Sequence, residues 1–244
     1  MRKIWIIARR ELGSFFDSLL AYILLVAFLG FTGFFTWISG ERDVFFRGEA
    51  SLDSFFSVAY WTLFFFIPAL TMRLVAEERN TGTMELILTK PVTDWQFVVG
   101  KFLSVFLLIC IALLLTIPYY ITVASIGPLD HGTVWTAYLG TLLMSAAYIS
   151  IGVFASSLTS NQIVSFLLAL LIGIFFHMLF GMLARNMSGI PGNVINWLSI
   201  SSHFQSIVRG VIDSKDILFF LSIVTLGLFG AEAALVRRNV MTSK

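Results

Sequence analysis

The chain has 244 residues, of which 58% are hydrophobic and 12% charged, with a net charge of +2. Ordinary soluble domains carry roughly twice that share of charge, and the mean hydropathy of +0.90 places this chain among membrane proteins. The composition points away from a soluble enzyme domain, no nucleic-acid partner is expected, and one cysteine, Cys110 in an apolar run, excludes a disulfide framework or a cysteine metal site.

Residues 1–18 read as an amphipathic helix lying on the membrane, or as a simple orientation signal. Ile4, Ile7, Ala8, Phe15 and Leu19 share one face, and Arg2, Lys3, Arg9 and Arg10 supply the other. The basic start followed by a spanning-length apolar run, without a small-residue cleavage site, is not the pattern of a cleaved leader. Residues 19–38 form the first expected span, about 20 apolar residues for a core of about 30 Å. The second is 54–71, with Pro68 near its end. Residues 97–123 make the third, where Pro118 is expected to bend the helix and free a carbonyl. The fourth is 133–158, the fifth 163–183 after a short polar turn, and the sixth 217–236.

Two polar connections break this series. Residues 72–96 carry more local order than a plain loop needs. Met72 to Arg79 is expected to continue the second span as a helix bearing Arg73, Glu77, Glu78 and Arg79. The turn Asn80-Thr81-Gly82-Thr83 suits glycine at positive φ. Thr83 can cap a short helix over residues 84–89, with Glu85 in its first turn, and Lys90-Pro91 ends it. Thr93-Asp94-Trp95-Gln96 then has the spacing of a capping box leading into the third span. In the second connection, 184–216, Phe204, Ile207, Val208, Val211 and Ile212 recur at helical spacing, as in an interfacial or re-entrant helix.

Six spans with an inside N-terminus put eleven Lys/Arg on the cytoplasmic side and five (Arg42, Arg47, Arg185, Arg209, Lys215) on the other. That imbalance orients both termini and residues 72–96 to the cytoplasm. Within the spans, His177 reads as a helix–helix hydrogen bond in preference to a substrate or proton path. Glu232 reads as snorkelling or pairing near the membrane edge. Gly140, Ser145, Ala146, Ala147 and Gly152 permit close packing, within the chain or at a dimer seam. The tryptophans fall mostly near span ends, as an aromatic belt does. No G-x-x-x-x-G-K-[ST] motif is present, and the three histidines lie in separate elements, so no catalytic or metal-binding set is expected in the chain.

The pattern Glu77-Glu78-Arg79, Gly82-Thr83, Glu85-Leu86, Pro91, Gly100-Lys101 resembles the hallmark of ABC-2 type permeases, the membrane subunits of a class of ATP-driven exporters. The resemblance covers essentially the whole chain. IPALTMR (67–73), LILTKPVTDWQFVVGK (86–101), FASSLTSNQIVSF (154–166) and HFQSIVRGVIDSKD (203–216) are similar to the gliding-motility-associated permease of Bacteroidetes-type bacteria. It implies an all-α membrane fold of six spans, an N-terminal interfacial helix, a cytoplasmic coupling helix and an outer-face amphipathic helix. It further implies a place in the bacterial inner membrane and export or mechanotransmission driven by a separate ATPase. The partners it implies are two ATPase subunits, which bind the ATP and Mg, a second permease copy or homologue, and an auxiliary extracytoplasmic protein. Arg73, Glu77, Glu78, Arg79, Gly82, Thr83, Glu85, Leu86, Lys90 and Pro91, with Arg9 and Arg10, form the expected ATPase-coupling interface. A secondary transporter, which would carry paired intramembrane carboxylates, and a non-transporting scaffold are the competing readings.

Overall fold

The computed structural model describes residues 2–39, 44–83, 92–187 and 189–242. Every regular element among the described residues is helical. Six helical stretches are long and apolar enough to cross a membrane: Leu19–Trp37, Asp53–Asn80, Asp94–Ile126, His131–Leu158, Gln162–Arg185 and Ser214–Arg237.

Helix α1 (Arg2–Asp17) precedes the first of these. Its Ala8 and Phe15 are buried against the bundle while Arg2, Lys3, Arg9 and Arg10 face outward. Leu19 does not share that face. The helix ends at Asp17, and Leu19 opens α2 (Leu19–Trp37) with its side chain exposed. A single turn, α3 (Val44–Arg47), leads to α4 (Asp53–Thr71).

The helix expected over Met72 to Arg79 is interrupted. After α4 the backbone turns, and α5 (Ala76–Asn80) starts anew. Ser156, from the fourth span, supplies the reason. Its hydroxyl oxygen accepts from the amides of Val75 and Ala76, 3.0 Å each, and its proton goes to the Met72 carbonyl, also at 3.0 Å. A side chain from a neighbouring helix thus satisfies backbone groups that a continuous helix would have paired internally.

Helix α6 (Asp94–Leu114) begins with a complete capping box. Gln96 N–H donates to Thr93 Oγ1, and the Thr93 amide donates back to Gln96 Oε1. The span breaks after Leu114 and resumes as α7 (Ile117–Ile126), with Pro118 in its first turn, where the missing N–H costs least. The hydroxyl of Tyr138 reaches Thr116 at this break, 3.0 Å from its Oγ1.

Helix α8 (His131–Leu158) is the centre of the bundle, with most of its residues buried. Asp130 caps its start by accepting from the amides of Gly132 and Thr133. Its small residues are used inside the chain. A Cβ on Gly152 would overlap Thr71 of α4, Gly140 lies against Ile207, and Ser150 fits against Gly227. Asn161 caps α9 (Gln162–Ile174), which passes through a π-helical turn (Phe175–Leu179) into α10 (Phe180–Arg185).

Two short helices, α11 (Ile190–Trp197) and α12 (Ile200–Val208), fold back at the end of the bundle opposite α1. Phe204 and Ile207 are buried and Val208 is half-buried, but Val211 and Ile212 are exposed and lie beyond the helix. Gly210, at φ 89°, ends it there, a conformation that helical periodicity alone does not reveal. Helix α13 (Ser214–Thr242) completes the fold along α8. At its start Asp216, 1% exposed, meets His203 Nδ1 at 2.6 Å. The other ring nitrogen of His203 lies 2.9 Å from the Trp197 carbonyl, so α11, α12 and α13 are tied together.

Candidate functional site

The α1 end of the bundle holds a cleft of about 500 Å³ between α1, α5 and α6. It is built around Lys101. This lysine sits seven residues inside α6, about 10 Å along the helix, and is 2% exposed. An ammonium there needs partners, and it has two. Its Nζ is 2.6 Å from Glu78 Oε1 on α5 and 2.8 Å from Glu11 Oε2 on α1. The Phe97 ring lies 5.3 Å from the same nitrogen. Arg10 extends the network, 2.7 Å from Glu11 and 3.7 Å from Glu78. Burial opposes ionisation of Glu11, but Lys101 and Arg10 outweigh it and hold the carboxyl below its ordinary value.

Backbone proximity lets these charges meet. Gly100 faces α1 so closely that a Cβ would lie 2.7 Å from Ile7 Cγ2 and 3.3 Å from the Ile4 carbonyl. On the other flank Arg73 stacks its guanidinium 5.0 Å above the Phe15 ring and donates to Ser18 Oγ at 3.4 Å. Gly82, at φ 70°, turns the chain after α5, where the Thr81 hydroxyl donates to the Glu77 carbonyl at 2.9 Å and lies 3.0 Å from the Thr83 hydroxyl.

Of the residues read from sequence as a coupling interface, the cleft brings together Arg10, Arg73, Glu77, Glu78 and Thr83. Arg9 is exposed and does not line it. Arg79 faces a second groove, shared with Arg237 between α5, α8 and α13. Gly82 shapes the turn. Glu85, Leu86, Lys90 and Pro91 lie outside the described residues.

Glu11, Phe15, Lys101 and Ser156 carry much of this geometry; the sequence places Phe15 on the apolar face of the first helix and Lys101 in the Gly100-Lys101 pair of the family pattern, but gives none of the four a place in the interface. Beyond that pair, Lys101 left a physical signal, a base well inside an apolar helix, which calls for a polar or acidic partner nearby. Which carboxylates, 23 residues upstream and on α1, is a tertiary fact. Chemically the cluster is a set of charge-assisted bonds locking three helices together. No group of three or more His, Cys, Asp or Glu that could hold a metal occurs among the described residues.

Comparison with known proteins gives two findings. Residues 45–231 match the family model described as ABC-2 family transporter protein. Two curated proteins, both described as "Probable multidrug ABC transporter permease YbhR", one from Escherichia coli strain K12 and one from Escherichia coli O157:H7, are each 29% identical over 188 residues. The match takes in 72% of this chain and 49% of each relative, so the chain spans about half the length of the curated relatives it matches.

Proposed function

This chain belongs to the ABC-2 family of transporter proteins, and on that premise we propose that it is the membrane half of an ATP-driven complex whose ATPase is a separate subunit. Two ATPase subunits dock on the α1 end of two permease copies, the second identical or homologous. ATP and Mg are bound by the ATPases, and the permease itself performs no chemistry. Both termini and the cleft face the cytoplasm across the bacterial inner membrane, a reading supported by the eleven-to-five Lys/Arg imbalance. The complex couples ATPase motion to export or to mechanotransmission on an outside partner, with an auxiliary extracytoplasmic protein as a further component. The stretches shared with the gliding-motility-associated permease support placement in that subgroup.

The observation that carries this reading is the Lys101 cluster. A docked subunit pushing on α5 or α1 pushes on α6 as well, because Glu78 and Glu11 hold the same ammonium. Packed helices joined at a buried charge move as a body, where a flexible loop would absorb the displacement.

The test is purification of the tagged chain from native membranes in mild detergent. The expected result is a stoichiometric P-loop ATPase that is lost from Glu77→Lys, whose side chain is exposed in the cleft. A preparation that hydrolyses no ATP and contains no ATPase would overturn the reading in favour of a scaffold or a secondary transporter.

A further inference from the structure

A second cavity, of about 790 Å³, lies at the opposite end of the bundle between α4, the π-helical turn with α10, and α12. Its size is that of a ligand site. The deep walls are apolar and aromatic, with Phe56, Tyr60, Trp61, Met178 and Phe204 among them. Its mouth carries Arg185 and Arg209, together with one acid, Asp53. Neither arginine is ion-paired among the described residues. Arg209 Nε donates to the Gln205 carbonyl at 3.0 Å, which fixes the guanidinium at the rim.

One residue of the wall is out of keeping with a purely apolar groove. His177 is 2% exposed, stacks on Tyr60 and Phe64, and bonds Tyr148 through Nδ1. Its Nε2 is buried and has no hydrogen-bond partner among the described residues. A buried polar atom left in that state is costly, so a native protein normally supplies it a partner. The helix is also wound as a π-turn over Phe175–Leu179, a rare geometry that recurs at functional sites. His177 lies about 12 Å along the helix from Arg185.

We propose that this groove binds an anionic phospholipid, its phosphate between Arg185 and Arg209, one acyl chain along the aromatic wall, and a polar atom of the ligand meeting His177. The charge at the mouth favours an acidic headgroup, and the apolar depth favours a chain over a free anion. The lipid comes from the leaflet at the α12 end. That this is the outer leaflet rests on the orientation given above, but the binding itself does not.

Native mass spectrometry of the full chain in detergent tests this, with phosphatidylglycerol and phosphatidylcholine of identical acyl chains as probes. One phosphatidylglycerol per chain should be retained several-fold over phosphatidylcholine. Removing the charges in Arg185→Gln and Arg209→Gln should each reduce that preference about five-fold. Ser57→Trp, at an exposed position on the groove wall, should remove bound phosphatidylglycerol while leaving the melting midpoint unchanged. Glycerol 3-phosphate should not displace the lipid. Equal retention of both lipids, selectivity that survives either kind of variant, or displacement by glycerol 3-phosphate would each overturn the proposal.

Discussion

Lys101 and Glu78, 23 residues apart in the chain and on different helices, are joined by a charge-assisted bond of 2.6 Å from an ammonium that is 2% exposed. Glu11 completes the arrangement from α1. Breaking a buried pair by removing one partner costs more than the pair itself contributes, because the remaining charge stays desolvated.

Lys101→Met is therefore expected to lower stability by about 1–3 kcal/mol. This is discounted from the fully buried case because both carboxylates are 15% exposed. Adding Glu11→Gln and Glu78→Gln should recover part of that loss. Thermal melts in detergent check both. A single variant as stable as wild type would remove the cluster's structural role.

Despite burial, Lys101 and Arg10 hold the Glu11 carboxyl below the ordinary glutamate value of about 4.5 in the folded chain, so the folded state binds its proton less readily than the unfolded one. Its stabilising contribution is then fully present above about pH 4.5 and is lost as pH falls through the lower folded value. The difference in melting midpoint between wild type and Glu11→Gln should be full at pH 7 and shrink below pH 4.5. A difference that grows on acidification would contradict the assignment.

Gly152→Ala places a methyl group against Thr71, where the fourth and second spans touch. Overpacking of this kind costs about 1–3 kcal/mol. The variant should melt lower, and trimming the neighbour in Gly152→Ala/Thr71→Ala should restore most of the loss. Failure of the second change to compensate would place the contact elsewhere.

His203 faces a carboxylate through one ring nitrogen and a carbonyl through the other, so the ring and Asp216 must share a proton to satisfy both contacts. His203→Phe leaves Asp216 buried without that partner and should destabilise by about 3–5 kcal/mol, while His203→Phe/Asp216→Leu recovers much of it. Equal melting midpoints for single and double variants would show that the pair carries no such load.

The apolar runs made the all-helical class and its six long helices legible, because run length and charge depletion are one-dimensional signals. Thr93 and Gln96 were legible for the same reason: a capping box is a spacing. Local chemistry likewise marked the turn at Gly82. The interruption between α4 and α5 was not readable, since a serine 80 residues later in the chain decides where that helix stops. Nor was the end of α12, where Val211 and Ile212 keep the helical period after Gly210 has broken the helix. Of the candidate site, the sequence pattern pointed to the surface residues Glu77 and Thr83 but not to the buried Lys101–Glu11 contact behind them. Glu78 belongs to both sets, so its substitution disturbs packing as well as any docking. Glu77, exposed and free of that network, separates the two.

The most direct test places a photo-crosslinking amino acid at Glu77, with Trp135 on the opposite half of the bundle as control, in cells expressing the chain at native level. The account predicts a light-dependent adduct with a P-loop ATPase at position 77 and none at 135. An ATPase adduct at 135, or at neither position in a complex that still hydrolyses ATP, would contradict docking at the Lys101 cleft.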